Sequence, residues 1–137
     1  MRELVEVRVD IRADMDKIWK YWTQERHIVN WYHSSETWHT PRAINDFKED
    51  GKFSYRMESK DGSMGFDFSG RYLKIEEGKL IRYLLEDTRR VDVKFIENGD
   101  IVRVTEDFEA ESNATKDIEK SGWQSILDNF KTYVENL

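Results

Sequence analysis

Apolar and polar positions along this chain follow two periods, and the switches between them outline an architecture. From Leu4 to Ile11, Val5, Val7, Val9 and Ile11 are separated by Glu6, Arg8 and Asp10. A period of two predicts a strand with one buried and one solvated face. Behind Asp14, an N-cap residue type, Met15, Ile18, Trp19 and Trp22 recur at spacings of three, four and seven, which predicts a helix. A second short helix is expected from about Gln24 to Asn30. The run Trp31-Tyr32-His33-Ser34-Ser35 then reads as a loop leading to Trp38.

The period of two returns for the middle of the chain. Pro41, the only proline, is expected in a loop feeding a strand over Arg42 to Phe47. Phe53, Tyr55 and Met57 alternate with Ser54, Arg56 and Glu58. Longer strands follow from about Met64 to Glu76 and from Leu80 to Glu86. Val91 to Ile96 and Ile101 to Phe108 flank Asn98-Gly99, the strongest short hairpin signal present. Asp50-Gly51 and Asp61-Gly62 predict two further turns, since Asp-Gly supplies the positive φ that tight turns need.

From Asn113 to Leu137 the spacing becomes helical again. Trp123, Ile126, Leu127, Phe130, Val134 and Leu137 share one face, with Lys120, Asp128, Lys131 and Glu135 elsewhere. A helix of this span reaches about 35 Å at 1.5 Å per residue. The order is strand, two helices, about six strands and one long helix. Hairpin connections and helices gathered at the ends predict an α+β domain with a mostly antiparallel sheet. The last helix is the one element large enough to cover a sheet face. No linker or repeat divides residues 1–137, so a single domain is expected.

Composition narrows the function classes. Aromatic residues make up 13% of the chain, enough large side chains to exclude a disordered polymer. A net charge of −6 argues against nucleic-acid backbones and anionic membranes as partners. Cysteine is absent, which removes disulfides, thiolate metal sites and a cysteine nucleophile. The first residues lack the apolar segment of a signal peptide and no run approaches membrane-spanning length. A soluble cytoplasmic protein is expected.

Three features carry candidate chemistry. Trp19, Trp22 and Phe130 read as core, whereas Trp31, Tyr32 and Trp38, in or beside a loop, are candidates for the rim of a cavity. His27, His33 and His39 are six residues apart, which matches no standard zinc spacing, so no metal site is expected. Glu106 shares strand parity with Val102, Val104 and Phe108. An unbroken strand turns its carboxylate inward, while a bulge or fraying at Glu106-Asp107 turns it out. Gly122, inside the last helix, is read as a close-packing position against a strand. Ser121, Ser125 and Tyr133 offer hydroxyls without an identifiable base. No phosphate loop, Ser-His-Asp order or paired-acid motif is present, and no catalytic residue is assigned.

Three stretches together resemble a known family. IWKYWTQERHIVNWY, with Trp19, Trp22, Thr23, His27, Ile28, Trp31 and Tyr32, is similar to its W-x-x-W-T-x-x-x-H-(L/I)-x-x-W-W run. FSGRYLKI (Phe68 to Ile75) resembles its F-x-G-x-Y-L-x-I strand, and GWQSILDNFKTYVE (Gly122 to Glu135) its closing helix. The family is that of activators of the 90-kDa heat-shock-protein ATPase homologue, within the START-like SRPBCC superfamily. The resemblance implies the helix-grip fold, a curved antiparallel sheet of six or seven strands around a C-terminal helix, with two small helices after the first strand. The chain departs from the family at Glu25 or Arg26, where proline is common, and at His33-Ser34, where Gly-Pro is common.

These readings converge on non-catalytic binding of an apolar or aromatic, lipid-like small molecule between sheet and last helix. The expected cavity residues are Trp31, Trp38, Tyr55, Phe66, Phe68, Tyr72, Glu106, Trp123 and Ile126. Phe130 to Leu137 is expected to be packed core. No cofactor is expected, and the chain is read as a monomer or weak dimer. A protein-interaction role resting on the family's chaperone analogy, and an enzyme acting on a cavity-bound substrate, are the alternatives.

Overall fold

In a computed structural model, which describes residues 2–136, the chain forms one antiparallel sheet and three helices. The order is β1 (Leu4–Ile11), α1 (Met15–Thr23), α2 (Glu25–Trp31), β2 (Trp38–Asn45), β3 (Lys52–Ser59), β4 (Gly65–Glu76), β5 (Leu80–Leu85), β6 (Arg90–Asn98), β7 (Ile101–Glu109) and α3 (Lys116–Glu135). The strands lie in the order β1-β7-β6-β5-β4-β3-β2, so β1 closes one edge beside the last strand and β2 forms the other. This is the curled, helix-gripping α+β architecture that the sequence pattern implies.

Alternation places the core on one face. Val7, Ile11, Phe53, Tyr55, Met57, Ile81, Tyr83, Leu85, Val91, Val93 and Phe95 are buried, with charged neighbours between most of them. Sheet curvature depends on local irregularities. The register shifts between His39 and Arg42 against β3, and between Tyr72 and Lys74 against β5. At Gly70 an added Cβ would lie 2.6 Å from the Leu84 carbonyl oxygen and 2.8 Å from the Phe53 ring. The bare backbone lets Phe53 lie directly on β4.

Several boundaries differ from expectation. Strand β2 starts at Trp38 and contains Pro41, which an edge strand with a bulge tolerates because no ladder donor is missed. In the Asp50-Gly51 turn the positive φ belongs to Asp50, at 68°. Gly51 is instead required by closeness, since a Cβ there would lie 2.0 Å from the Asp46 carbonyl oxygen. Helix α3 begins at Lys116, not Asn113. Thr115 N–H donates to Ser112 Oγ at 3.2 Å, and the Thr115 hydroxyl to Glu119 Oε2 at 2.7 Å, holding the preceding residues in a turn.

Helix α3 follows β1. Gln124 Nε2 donates to the Arg8 carbonyl at 3.0 Å, Lys131 Nζ to the Asp10 carbonyl at 2.6 Å, and Arg12 N–H donates to Glu135 Oε2 at 2.9 Å. Its apolar face buries Leu127, Phe130 and Val134 completely, while Trp123 and Ile126 are half-buried. Leu137 lies outside the described residues. Helices α1 and α2 close the C-terminal end of α3, where Trp22 meets Phe130 at 4.9 Å and Trp31 meets Phe130 at 4.5 Å between ring centroids.

Candidate functional site

The inner face of β7 carries one acid in an apolar row. Strand β7 is unbroken to Glu109, so Val102, Val104, Glu106 and Phe108 all point inward. Glu106 pairs with Val7 of β1 and Val93 of β6 and is 2% exposed. No side chain among the described residues donates a hydrogen bond to it or forms an ion pair with it. Burial alone pushes its carboxyl up to about 8, so the group is neutral through most of the physiological range. A carboxyl without a protein partner is costly inside an apolar core.

Buried phenols share its electrostatic surroundings. Tyr32, the C-cap of α2, and Tyr83 of β5 both lie within electrostatic reach of Glu106 and of each other. Tyr55 and Tyr72 extend the group along β3 and β4, and the Tyr72 hydroxyl donates to Asn45 Oδ1 at 2.6 Å. Burial raises all four phenols above their ordinary value, so they stay protonated. Phe53 packs between them, 5.0 Å from Tyr55 and Tyr83 and 5.3 Å from Tyr72. The arrangement is a set of neutral hydrogen-bonding groups held by rigid rings.

From this polar centre the two ends of the interior differ. Toward α1, Val104 is followed by Phe95, Trp22 and Phe130 in close ring contact. Toward the other end, Phe108 stacks on Trp123 at 4.2 Å with planes 9° apart, and Phe68 meets Trp123 at 6.0 Å. Phe68 also lies 5.6 Å from Tyr32. Beyond them Trp38 faces Phe66 at 5.8 Å, and Phe66 is 47% exposed. Gly122, one residue before Trp123, has nothing within 4 Å of where its Cβ would stand. The expected close packing of Gly122 on a strand is therefore absent. Of Phe66, Phe68 and Trp38, Phe68 is the ring that meets the helix, through Trp123.

The nine expected residues divide accordingly. Tyr55, Tyr72 and Glu106 are buried in the interior; Trp38, Phe68, Trp123 and Ile126 are half-buried; Phe66 is exposed. Trp31 does not sit at a rim. It ends α2, is 1% exposed, and donates its indole N–H to the Tyr21 carbonyl at 3.0 Å. That partner, ten residues back, turns the ring into the core. Tyr83 was missed as a candidate, although its parity with Ile81 and Leu85 turns it inward.

The histidines serve other ends. His27 Nδ1 shares a hydrogen bond with Tyr133 OH at 2.8 Å, Asn30 donates to the same oxygen at 3.1 Å, and Tyr21 stacks on the imidazole at 4.0 Å. This ties α2 to α3 and gives the Tyr133 hydroxyl its partner. Among the described residues no group of three or more His, Asp or Glu side chains is arranged to hold a metal ion. Two open grooves lie away from the interior. One of about 740 Å³ runs between α1 and the Glu77-Gly78-Lys79 turn, and another of about 520 Å³ lies over Ser54, Ser69 and Leu84 on β3 to β5. Neither includes any of the nine residues. No described helix is long and apolar enough to cross a membrane.

Comparison with known proteins places this geometry in context. The solution structure of an AHSA1-like protein from Aeromonas hydrophila is 35% identical and superimposes with a TM-score of 0.88, over 96% of this chain and 93% of that one. The solution structure of Chr148 from Cytophaga hutchinsonii is 42% identical, with a TM-score of 0.83 over 96% and 92%. The crystal structure of CV1439 from Chromobacterium violaceum shares the fold at 16% identity, with a TM-score of 0.86 over 97% and 98%. No curated protein matches the chain significantly. The sequence model of the activator of Hsp90 ATPase homolog 1-like family matches residues 12–135, and the chain belongs to that family.

Proposed function

We propose that this domain binds an apolar or aromatic small molecule between the N-terminal half of α3 and the inner face of the sheet. One observation carries the reading: Glu106 is 2% exposed among valines, and burial raises its carboxyl to about 8 with no opposing charge or hydrogen bond. Unsatisfied buried polar groups are rare in native folds and cluster at functional sites. Tyr55, Tyr72 and Glu106 then form the inner wall. Phe68, Trp123 and Ile126 flank the approach, and Trp38 and Phe66 stand at its outer edge. Membership of a family with this curled-sheet fold is consistent with such a role.

Trp123 provides the test. Its ring stacks on Phe108, so a ligand entering beside it alters its fluorescence. Titration with naphthalene is expected to give a saturable change, lost in Trp123→Phe when the remaining tryptophans are followed. Absence of saturable binding of any apolar probe overturns the reading. Native mass spectrometry of protein purified from its own source then identifies the occupant by its added mass.

A second reading, contact with a protein partner, is supported by Met64 and Phe66, 63% and 47% exposed near Trp38. The family name supplies a chaperone by analogy alone. Met64→Ser would weaken such a contact while leaving naphthalene binding unchanged.

A further inference from the structure

The junction of the three helices holds a buried histidine whose hydrogen bonding is half complete. His27, in the first turn of α2, is 9% exposed. Its Nδ1 shares a hydrogen bond with the Tyr133 hydroxyl of α3 at 2.8 Å. Asn30 donates to that same oxygen at 3.1 Å and to the Arg26 carbonyl at 3.1 Å. Tyr21 of α1 stacks on the imidazole at 4.0 Å, with planes 19° apart. The other ring nitrogen, Nε2, is buried and has no hydrogen-bond partner. The charges that act on the ring are positive: Arg26 on its own helix and Lys20 on α1. Lys17 Nζ, also on α1, lies 5.6 Å from the centroid of the Tyr21 ring. Glu25, two residues before His27, has its Oε2 on the Asn45 N–H at 2.6 Å. From α3 the titratable group at the ring is Tyr133.

We propose that His27 is a pH-sensitive latch between α2 and α3, closed while the imidazole is neutral and opened when it takes up a second proton. In the neutral ring one nitrogen carries a hydrogen and the other a lone pair, so either tautomer keeps the bond to Tyr133. The imidazolium has two N–H groups. Whichever nitrogen gains the proton, Nε2 then carries a hydrogen without an acceptor, in a buried site beside Arg26 and Lys20. Burial first, and then those two cations, hold the ring's titration below its ordinary 6.5. The folded chain therefore takes up this proton less readily than the unfolded one. The latch is fully effective above 6.5 and is lost as pH falls from there through the lower value of the folded chain. Opening releases the imidazole from Tyr133 and lets the first turn of α2 leave α3. Trp31, at the other end of α2, stays anchored by its indole N–H on the Tyr21 carbonyl and its ring contact with Phe130. The change is a local opening at one end of a short helix.

Amide hydrogen exchange of the full chain, expressed as protection factors at about pH 7.5 and about pH 5, tests this. The His27 and Ile28 amides both donate to the Gln24 carbonyl at 3.0 Å. Their protection is expected to fall about fivefold at the lower pH, the equivalent of one net hydrogen bond, while Leu127 in α3 keeps its own. In His27→Gln, neutral at both values, the fall is absent. The Cε1–H resonance of His27 follows the same event in the unsubstituted protein, and decides the matter if His27→Gln fails to fold. It is expected to titrate below 6.5, in step with the loss of protection. Titration of His27 at or above 6.5, protection at His27 and Ile28 indifferent to pH, or an equal fall in His27→Gln overturns the latch. An equal fall at Leu127 overturns it as well, since the whole chain is then opening.

Discussion

The two halves of α3 belong to the same helix yet face different interiors. Leu127, Phe130 and Val134 are fully buried, with Phe130 in ring contact with Trp22 and Trp31 of the small helices. The N-terminal half carries half-buried Trp123, stacked on Phe108 two residues from the buried Glu106, half-buried Ile126 and a glycine with empty surroundings. Burial thus rises along the helix, from half-buried Trp123 and Ile126 to fully buried Leu127 and Phe130. The C-terminal half has the character of a stability element. The N-terminal half has features that stability alone would remove, since alanine in place of Gly122 and an apolar residue in place of Glu106 both suit a simple core better.

The largest expected effect lies at Glu106 and depends on pH. Its carboxyl titrates at about 8 in the folded chain against an ordinary 4.5, so the folded state holds the proton more tightly. The group's contribution is therefore fully present below about 4.5 and is lost as pH rises through about 8, a swing of about 5 kcal/mol. Urea unfolding of the wild type and Glu106→Leu across this range should show the variant gaining relative stability as pH rises, then levelling off. A constant difference would place the carboxylate in water and dissolve the contrast between the halves.

Phe130→Ala comes next. It empties a fully buried site in the dense half and should lower stability by about 4 kcal/mol. Trp123→Ala removes a larger ring but a half-buried one, and about 2 kcal/mol is expected from denaturant titration. A loss at Trp123 equal to that at Phe130 would mean the N-terminal half is core as well. The smallest effect is a gain. Gly122→Ala meets no neighbour within 4 Å and should add about 1 kcal/mol through helix propensity. If the thermal midpoint falls instead, the open space beside α3 is not real.

How much of this was legible in the sequence follows the range of the forces involved. Strand parity is local, so the alternation of Val102, Val104, Glu106 and Phe108 admitted an inward acid before any fold was known. The amphipathic stripe of α3 likewise announced Leu127, Phe130 and Val134 as core. Trp31 was misplaced because its surroundings are set by a hydrogen bond to Tyr21 and a ring contact with Phe130 that no local pattern encodes. Gly122 was misread for a related reason, since a glycine in a helix signals either close approach or indifference, and only the neighbouring elements decide. Pro41 suggested a loop because the rule for proline in strands turns on edge position, which is a property of the assembled sheet. Tyr83 was the avoidable omission, carried inward by the same parity that places Ile81 and Leu85.

The most direct test of the central claim is a map of amide chemical shifts during titration with naphthalene. The account expects saturable perturbations at Phe68, Glu106, Phe108 and Trp123, with Leu127 marking the boundary and Phe130 and Val134 unmoved. Perturbations centred on Phe130 and Trp22, or confined to the exposed residues Met64 and Phe66, would contradict it.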